Sequence, residues 1–191
     1  RDELLTSGGR PYGVFTPYRN AWLRKVDSYF LKAYPVETYG SALAERPPEL
    51  RLPVPALETI GFERTNLSAL GIAPGAKTGQ RLFSAFLERI DRYHETRNFP
   101  AVKGPSYLGI HLRFGTVSIR RVAAEAHQRT IQGSAGAQVW LDELIWREFY
   151  AQVLAHFPHV ATRSFKPAYD AIHWEHGKHA DALFAAWCEG R

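Results

Sequence analysis

The sequence predicts a mainly α-helical fold, and three observations carry that prediction. Apolar residues recur at helical spacing near 18–33, 78–93, 118–131, 137–156 and 180–188. Strand signals are almost absent after residue 20. The composition of the 191 residues, 45% hydrophobic and 23% charged, suffices for one ordinary globular domain and is wrong for a disordered tail.

Taken in chain order, Ser7-Gly8-Gly9-Arg10 is a turn signal, and Tyr12-Gly13-Val14-Phe15-Thr16 is a short strand-like run that ends at Pro17. From Tyr18 the pattern is helical, through Trp22, Leu23, Val26, Tyr29, Phe30 and Ala33 to Pro35. Residues 35–75 carry Pro35, Pro47, Pro48, Pro53, Pro55 and Pro74, a linker composition, with Leu57, Ile60, Phe62 and Leu67 expected to dock on a core. Thr78 is the expected cap of a helix whose apolar face is Leu82, Phe83, Phe86, Leu87, Ile90 and Tyr93. Arg97-Asn98-Phe99-Pro100 breaks that pattern and leads into a loop over 103–109. Ser118 starts the next helix, closed by Gln132-Gly133-Ser134. A longer helix follows over about 137–156, stopped by Pro158, and a last one over 180–188 stops at Gly190.

Several function classes are excluded at this stage. No apolar run approaches a membrane span, and Arg1-Asp2-Glu3 lacks the charged-then-apolar pattern of a signal peptide. A single cysteine, Cys188, excludes a disulfide framework and an all-cysteine zinc site, suits a reducing, cytoplasmic compartment, and reads as buried filler beside Trp187. His173, His176 and His179 rotate steadily around a helix and offer no His-Glu-x-x-His pattern, so they read as solvated and no metal is expected. No Gly-x-Ser-x-Gly elbow, phosphate-loop or dinucleotide fingerprint occurs. The net charge of +5 and pI of about 9.4 lean mildly towards a polyanionic partner, a lean that a solvated surface explains as well. Methionine is absent even at position 1, so the chain is read as a piece of something longer.

The chemistry concentrates in Val139-Trp140-Leu141-Asp142-Glu143-Leu144-Ile145-Trp146-Arg147-Glu148-Phe149-Tyr150. At about 100° per residue, Trp140, Glu143, Trp146, Arg147 and Tyr150 fall within an arc of roughly 120°, opposite Leu141, Leu144 and Ile145. Such a stripe fits a cavity wall, with tryptophan faces for stacking, a carboxylate acceptor in Glu143 and a planar fork for phosphate in Arg147. It also fits a helix whose tryptophans are core and whose Glu143 and Arg147 form an i,i+4 surface ion pair, and spacing alone favours that second reading.

The same eleven residues from Trp140 to Tyr150 resemble, almost letter for letter, the signature helix of the DNA photolyase/cryptochrome family. Supporting likeness runs along the chain: Pro11-Tyr12-Gly13-Val14-Phe15-Thr16-Pro17-Tyr18, then Tyr93 to Phe99-Pro100, Leu108, Leu112-Arg113-Phe114-Gly115-Thr116-Val117-Ser118, and Trp187-Cys188-Glu189-Gly190-Arg191. The resemblance overturns the packing reading and implies most closely a bacterial class I cyclobutane pyrimidine dimer photolyase. The implied organisation is the end of an α/β antenna domain with its last strand over 1–18, a helix and Pro-rich linker over 19–72, and the first part of a helical FAD-binding domain over 73–191. The implied activity is a carbon–carbon lyase reaction: reduced FAD, excited by blue light directly or through an antenna pigment (folate or deazaflavin), splits dimers flipped out of UV-damaged DNA, base flipping being a known habit of photolyases.

Residue by residue, the resemblance assigns Tyr93, Trp140 and Arg147 to the flavin pocket, and Pro105, Ser106, Tyr107, Leu108 and Gly109 to the loop around the flavin phosphates. Glu143 and Trp146 would hydrogen-bond and stack on the dimer, with Tyr150 beside them and Arg97 on a DNA phosphate. No catalytic residue is expected within these 191 residues. The loop departs from the bacterial Thr-Ser-Arg-Leu-Ser, because Pro105 lacks a hydroxyl and an N–H and Gly109 lacks a hydroxyl. The resemblance further implies a monomer without a membrane partner, and poor FAD binding by these residues alone. Two other readings stand beside it: a cryptochrome-type flavin photoreceptor, and a catalytically dead helical DNA-binding module. Relatives of the first kind tend to carry Gln at the position of Glu143 or to lose the tryptophan at that of Trp146.

Overall fold

The structure is a computed structural model that describes residues 2–63 and 65–191; Arg1, the first residue of the N-terminal stretch read above, and Arg64 lie outside the described residues. Helices and 3-10 turns make up its regular structure, and no strand occurs among the described residues. The chain divides into two compact units, one of residues 1–18 and 147–191, the other of residues 19–146.

The strand expected at Tyr12–Thr16 is not formed. Helix α1, Phe15–Lys25, begins inside it. A strand with nothing to pair against leaves its backbone groups open, whereas the first turn of a helix tolerates Pro17, which has no N–H to lose. The expected helix to residue 33 is likewise interrupted. Asp27, in an extended conformation, accepts from the N–H groups of Tyr29 and Phe30 and so caps a separate short helix α2, Ser28–Leu31.

Among the described residues of 35–75, regular structure is limited to 3-10 turns at Val36–Ala42, Pro48–Leu50 and Leu57–Ile60. Leu57, Ile60, Phe62 and Leu67, expected to dock, are all exposed. The recurrent prolines prevent an amphipathic helix from forming there, so no continuous apolar stripe exists to bury.

Helix α3, Ala76–Leu87, starts earlier than Thr78: its N-cap is Gly75, at a φ of 91° that glycine alone adopts readily. Phe83 and Phe86 are buried on its inner face. The α-helix stops at Leu87, yet the apolar pattern continues through a 3-10 turn, Ile90–Arg92, into helix α4, Tyr93–Thr96, so Ile90 and Tyr93 still reach the core. Helix α5, Gly109–Arg113, precedes helix α6, Ile119–Ile131, which Ser118 caps by accepting from the Arg121 N–H.

Helix α7, Ala135–His156, is the longest element. Ser134, read above as closing the preceding helix, also opens this one: its Oγ accepts from the Ala137 N–H at 3.2 Å and donates to Asp91 Oδ1 at 2.5 Å. In the unit of residues 19–146, α7 supplies Trp140, Leu141 and Ile145 to a core shared with Phe83, Phe86, Ile90, Leu108 and Val122. Arg19 Nε donates to Asp142 Oδ1 at 2.6 Å, and Arg120 Nη1 to the Phe30 carbonyl at 2.5 Å where α2 meets α6. In the other unit, Tyr18 sits between Tyr12 and Phe149, with ring centroids 5.9 and 5.3 Å away, and Gln152 donates to the Tyr12 carbonyl. Helix α8, Lys178–Cys188, belongs to this unit and buries none of its residues. Cys188 is therefore exposed, and the buried-filler reading fails because that face of α8 has no covering element.

Candidate functional site

The signature stripe on α7 does not stay in one environment. Trp140 is 3% exposed and faces Phe86 and Phe83, at 4.6 and 6.3 Å between ring centroids. It is a core aromatic that forms the floor beneath the rest. One and two turns on, Glu143 and Trp146 are half-buried, while Arg147 and Tyr150, in the other unit, are exposed. The buried ring fixes the helix's rotation; the partly covered carboxylate and indole meet solvent.

Glu143 finds its cation far away in sequence. Arg97, at the C-terminal end of α4, donates through Nη1 to Glu143 Oε1 at 2.5 Å, and the two side chains are 33% and 37% exposed. The guanidinium also lies over the Tyr93 ring, 5.4 Å from its centroid. Tyr93 is itself buried, edge-on to Phe86. Burial pushes the Tyr93 hydroxyl above its usual range; the Arg97 charge pulls it back and the Glu143 charge adds to the rise. Tyr93 thus stays a neutral phenol, and Arg97, Tyr93 and Glu143 form one polar cluster above an aromatic floor.

The loop over 105–109 is also built by distant groups. Arg89, just past the end of α3, donates to the Pro105 carbonyl at 2.8 Å and to the Ala85 carbonyl at 2.5 Å. Ser106 Oγ accepts the Leu108 N–H at 3.3 Å, and Leu108 is fully buried. Between them Tyr107 adopts φ 58°, a left-handed conformation costing on the order of 1 kcal/mol for a side-chain-bearing residue, and is 53% exposed. Gly104 enters the loop against the α4 backbone, where a Cβ would lie 2.7 Å from the Thr96 carbonyl oxygen. At Gly109, by contrast, a Cβ would meet open space. The loop is therefore anchored at Pro105 and Leu108 and open at Gly109, an arrangement in which a bulky anion can approach the backbone.

Arg89 was not among the residues singled out from the sequence, and nothing local marks it, since its partner lies 16 residues on. The Arg97–Glu143 pair spans 46 residues and is invisible to an i,i+4 argument. Among the described residues no group of His, Cys, Asp and Glu could hold a metal ion, and no helix is long and apolar enough to cross a membrane.

Comparison with known proteins settles the family. Residues 140–191 match the family model described as the FAD binding domain of DNA photolyase. The deoxyribodipyrimidine photo-lyase of a Synechococcus strain is 32% identical over 100% of this chain and 40% of its own length. This chain belongs to the DNA photolyase family. The Vibrio cholerae photolyase-family relative, also named deoxyribodipyrimidine photo-lyase, is 33% identical over 99% of this chain and 39% of its own length. A crystal structure of a bacterial class III photolyase from Agrobacterium tumefaciens superposes with a TM-score of 0.78 at 26% identity, covering 98% of this chain and 38% of that one. The chain thus spans about two fifths of the length of the photolyases it matches.

Proposed function

We propose that this photolyase-family chain supplies part of the lesion- and flavin-binding surface of a light-dependent DNA-repair enzyme acting on cyclobutane pyrimidine dimers. The observation that carries the proposal is the half-buried pair of Glu143 and Trp146 on α7, with Arg97 at 2.5 Å from the carboxylate. An indole face stacks on a flipped base and excludes water from it. A carboxylate beside a guanidinium accepts from a base N–H, and the guanidinium itself suits a backbone phosphate. The occurrence of Glu143 together with Trp146 favours repair over a signalling photoreceptor, and the names of the curated relatives support the same reaction.

The residues present fit FAD at its phosphates. The loop offers the Ser106 hydroxyl, the Tyr107 and Gly109 N–H groups and an unobstructed approach at Gly109; Arg147, in the other unit, is proposed as a flavin contact on the family resemblance alone. Pro105 contributes only its carbonyl, which Arg89 already satisfies, so Ser106 and the backbone bind where side chains at 105 and 109 are lacking. When bound in reduced form, FAD supplies the photoexcited electron that opens the dimer. The chain's part is to orient and enclose: Trp140 and Tyr93 form the apolar floor, Glu143 and Trp146 read the lesion, and Arg97 meets a strand phosphate; Tyr150, in the other unit, is proposed as a DNA contact on the family resemblance alone. No proton transfer by a side chain of this chain is required. The proposed setting is the cytoplasm, with UV-damaged DNA as partner, a monomeric protein and an antenna pigment.

The test is dimer loss from UV-irradiated oligothymidylate in blue light against a dark control, using the protein as its cell produces it. Loss in the light alone is expected. Trp146→Ala should weaken damaged-DNA binding by about 1–3 kcal/mol, the worth of one stacked base. Bound, reduced flavin without dimer loss would instead indicate a photoreceptor. The 191 residues purified alone are expected to lose FAD on gel filtration.

A further inference from the structure

We propose that the Arg97–Glu143 ion pair is a latch that couples capture of a DNA phosphate to exposure of the acceptor that reads the damaged base. The inference rests on the reading above, in which Arg97 meets phosphate and Glu143 meets the lesion, and adds that the two residues occupy each other until DNA arrives. Three features carry it. The pair is close, at 2.5 Å, so the carboxylate oxygen facing Arg97 is already used. Both side chains are about a third exposed, so an incoming phosphate can reach the guanidinium from outside. Arg97 also rests on the Tyr93 ring, which is fixed in the core against Phe86. That ring keeps the guanidinium nearby after it leaves the carboxylate, which makes the exchange reversible.

Arginine carries five donors in a fixed fork, so a phosphate engages the outer ones first. As the negative charge approaches, the carboxylate is repelled and the guanidinium drawn towards the strand. Glu143 is then left with a free oxygen beside Trp146. A flipped base N–H satisfies it; on undamaged DNA, with no base flipped out, it stays unsatisfied. The latch thus makes undamaged DNA bear the cost of breaking an ion pair, which damaged DNA recovers through a new hydrogen bond.

Affinity for oligothymidylate, undamaged and dimer-containing, measured across a salt series with the protein as its cell produces it, tests this directly. Glu143→Gln is expected to strengthen binding to undamaged strand about two- to fivefold, the equilibrium weight of a part-exposed ion pair. Its slope of log affinity against log salt should change by much less than about 0.7, because Arg97 meets one strand phosphate in both proteins. Arg97→Gln is expected to weaken both complexes through the lost phosphate contact and to leave the damaged-to-undamaged ratio unchanged, because the cost of breaking the pair is common to both strands.

An undamaged-strand affinity that does not rise in Glu143→Gln overturns the latch while leaving the repair reading intact. A fall in the ratio for Arg97→Gln overturns it too, since Arg97 would then be holding Glu143 in position. Failure of the unsubstituted protein to bind either strand overturns the functional reading and the latch together.

Discussion

Tyr18 and Tyr93 are both buried phenols, and they respond to their surroundings with one sign. Burial pushes the Tyr18 hydroxyl far above its usual range, with Glu148 adding to the rise, and Tyr93 shifts the same way. In the unfolded chain a tyrosine loses its proton near pH 10. Above that point the folded state still holds protons that the unfolded state has released, so stability is complete below about pH 10 and falls as pH rises further. Tyr18→Phe should flatten this alkaline decline, by at most about 1.4 kcal/mol per pH unit, the limit for one proton. Urea midpoints followed by far-UV circular dichroism between about pH 8 and pH 11.5 would show it, and a decline identical to the unsubstituted chain's would contradict it. At this scale, legibility in the sequence depended on the range of each contact. The facing of Trp140, Glu143 and Trp146 followed from periodicity. That Trp140 is floor while Glu143 is rim did not, because Phe83, Phe86 and Arg97 reach them from other elements.

Among the elements, α7 depends on a close approach at its start. Gly136 lies against the 3-10 turn before α4, where a Cβ would fall 2.0 Å from the Ile90 carbonyl oxygen and 2.4 Å from that of Asp91. Both obstacles are backbone, so neither can swing aside. Gly136→Ala should destabilise the chain by about 3 kcal/mol or more despite alanine's better helix propensity, since overpacking against backbone outweighs a gain of about 1 kcal/mol. A urea titration would reveal it, and unchanged stability would mean that the start of α7 can shift. Helix positions were largely readable from caps and spacing: Ser118, Pro158 and Gly190 mark real boundaries. The errors lay where a second local rule won. Asp27 capped within what looked like one helix, and Gly75 displaced Thr78 as the cap.

Across the whole molecule, order is unevenly distributed. The described residues of 35–75 contribute 3-10 turns and none that is buried, while 76–156 carry most of the core. Backbone hydrogen bonds that are exposed and thinly packed open first. Limited trypsin treatment should therefore cut first after Arg51, which is exposed within that segment, before any site in α3, α6 or α7; mass spectrometry of early products decides it, and a first cut inside α7 would contradict it. The linker character of this segment was plain from its prolines. Its failure to dock was not, because apolar residues alone do not reveal whether a partner surface exists for them.

The unbroken run of α7 has a consequence for how such a sequence can change. A helix keeps angular phase: adding or removing one residue turns everything beyond it by about 100° and moves it about 1.5 Å along the axis. An insertion between Trp140 and Glu143 would swing the carboxylate off the face that meets Arg97, although every residue type was retained. The turn-rich segment near 35–75 keeps no such phase, and doubling a flexible connection costs only about 0.6 kcal/mol. Drift in length should therefore collect in that segment, while α7 accepts exchanges of residues but never a change in their count.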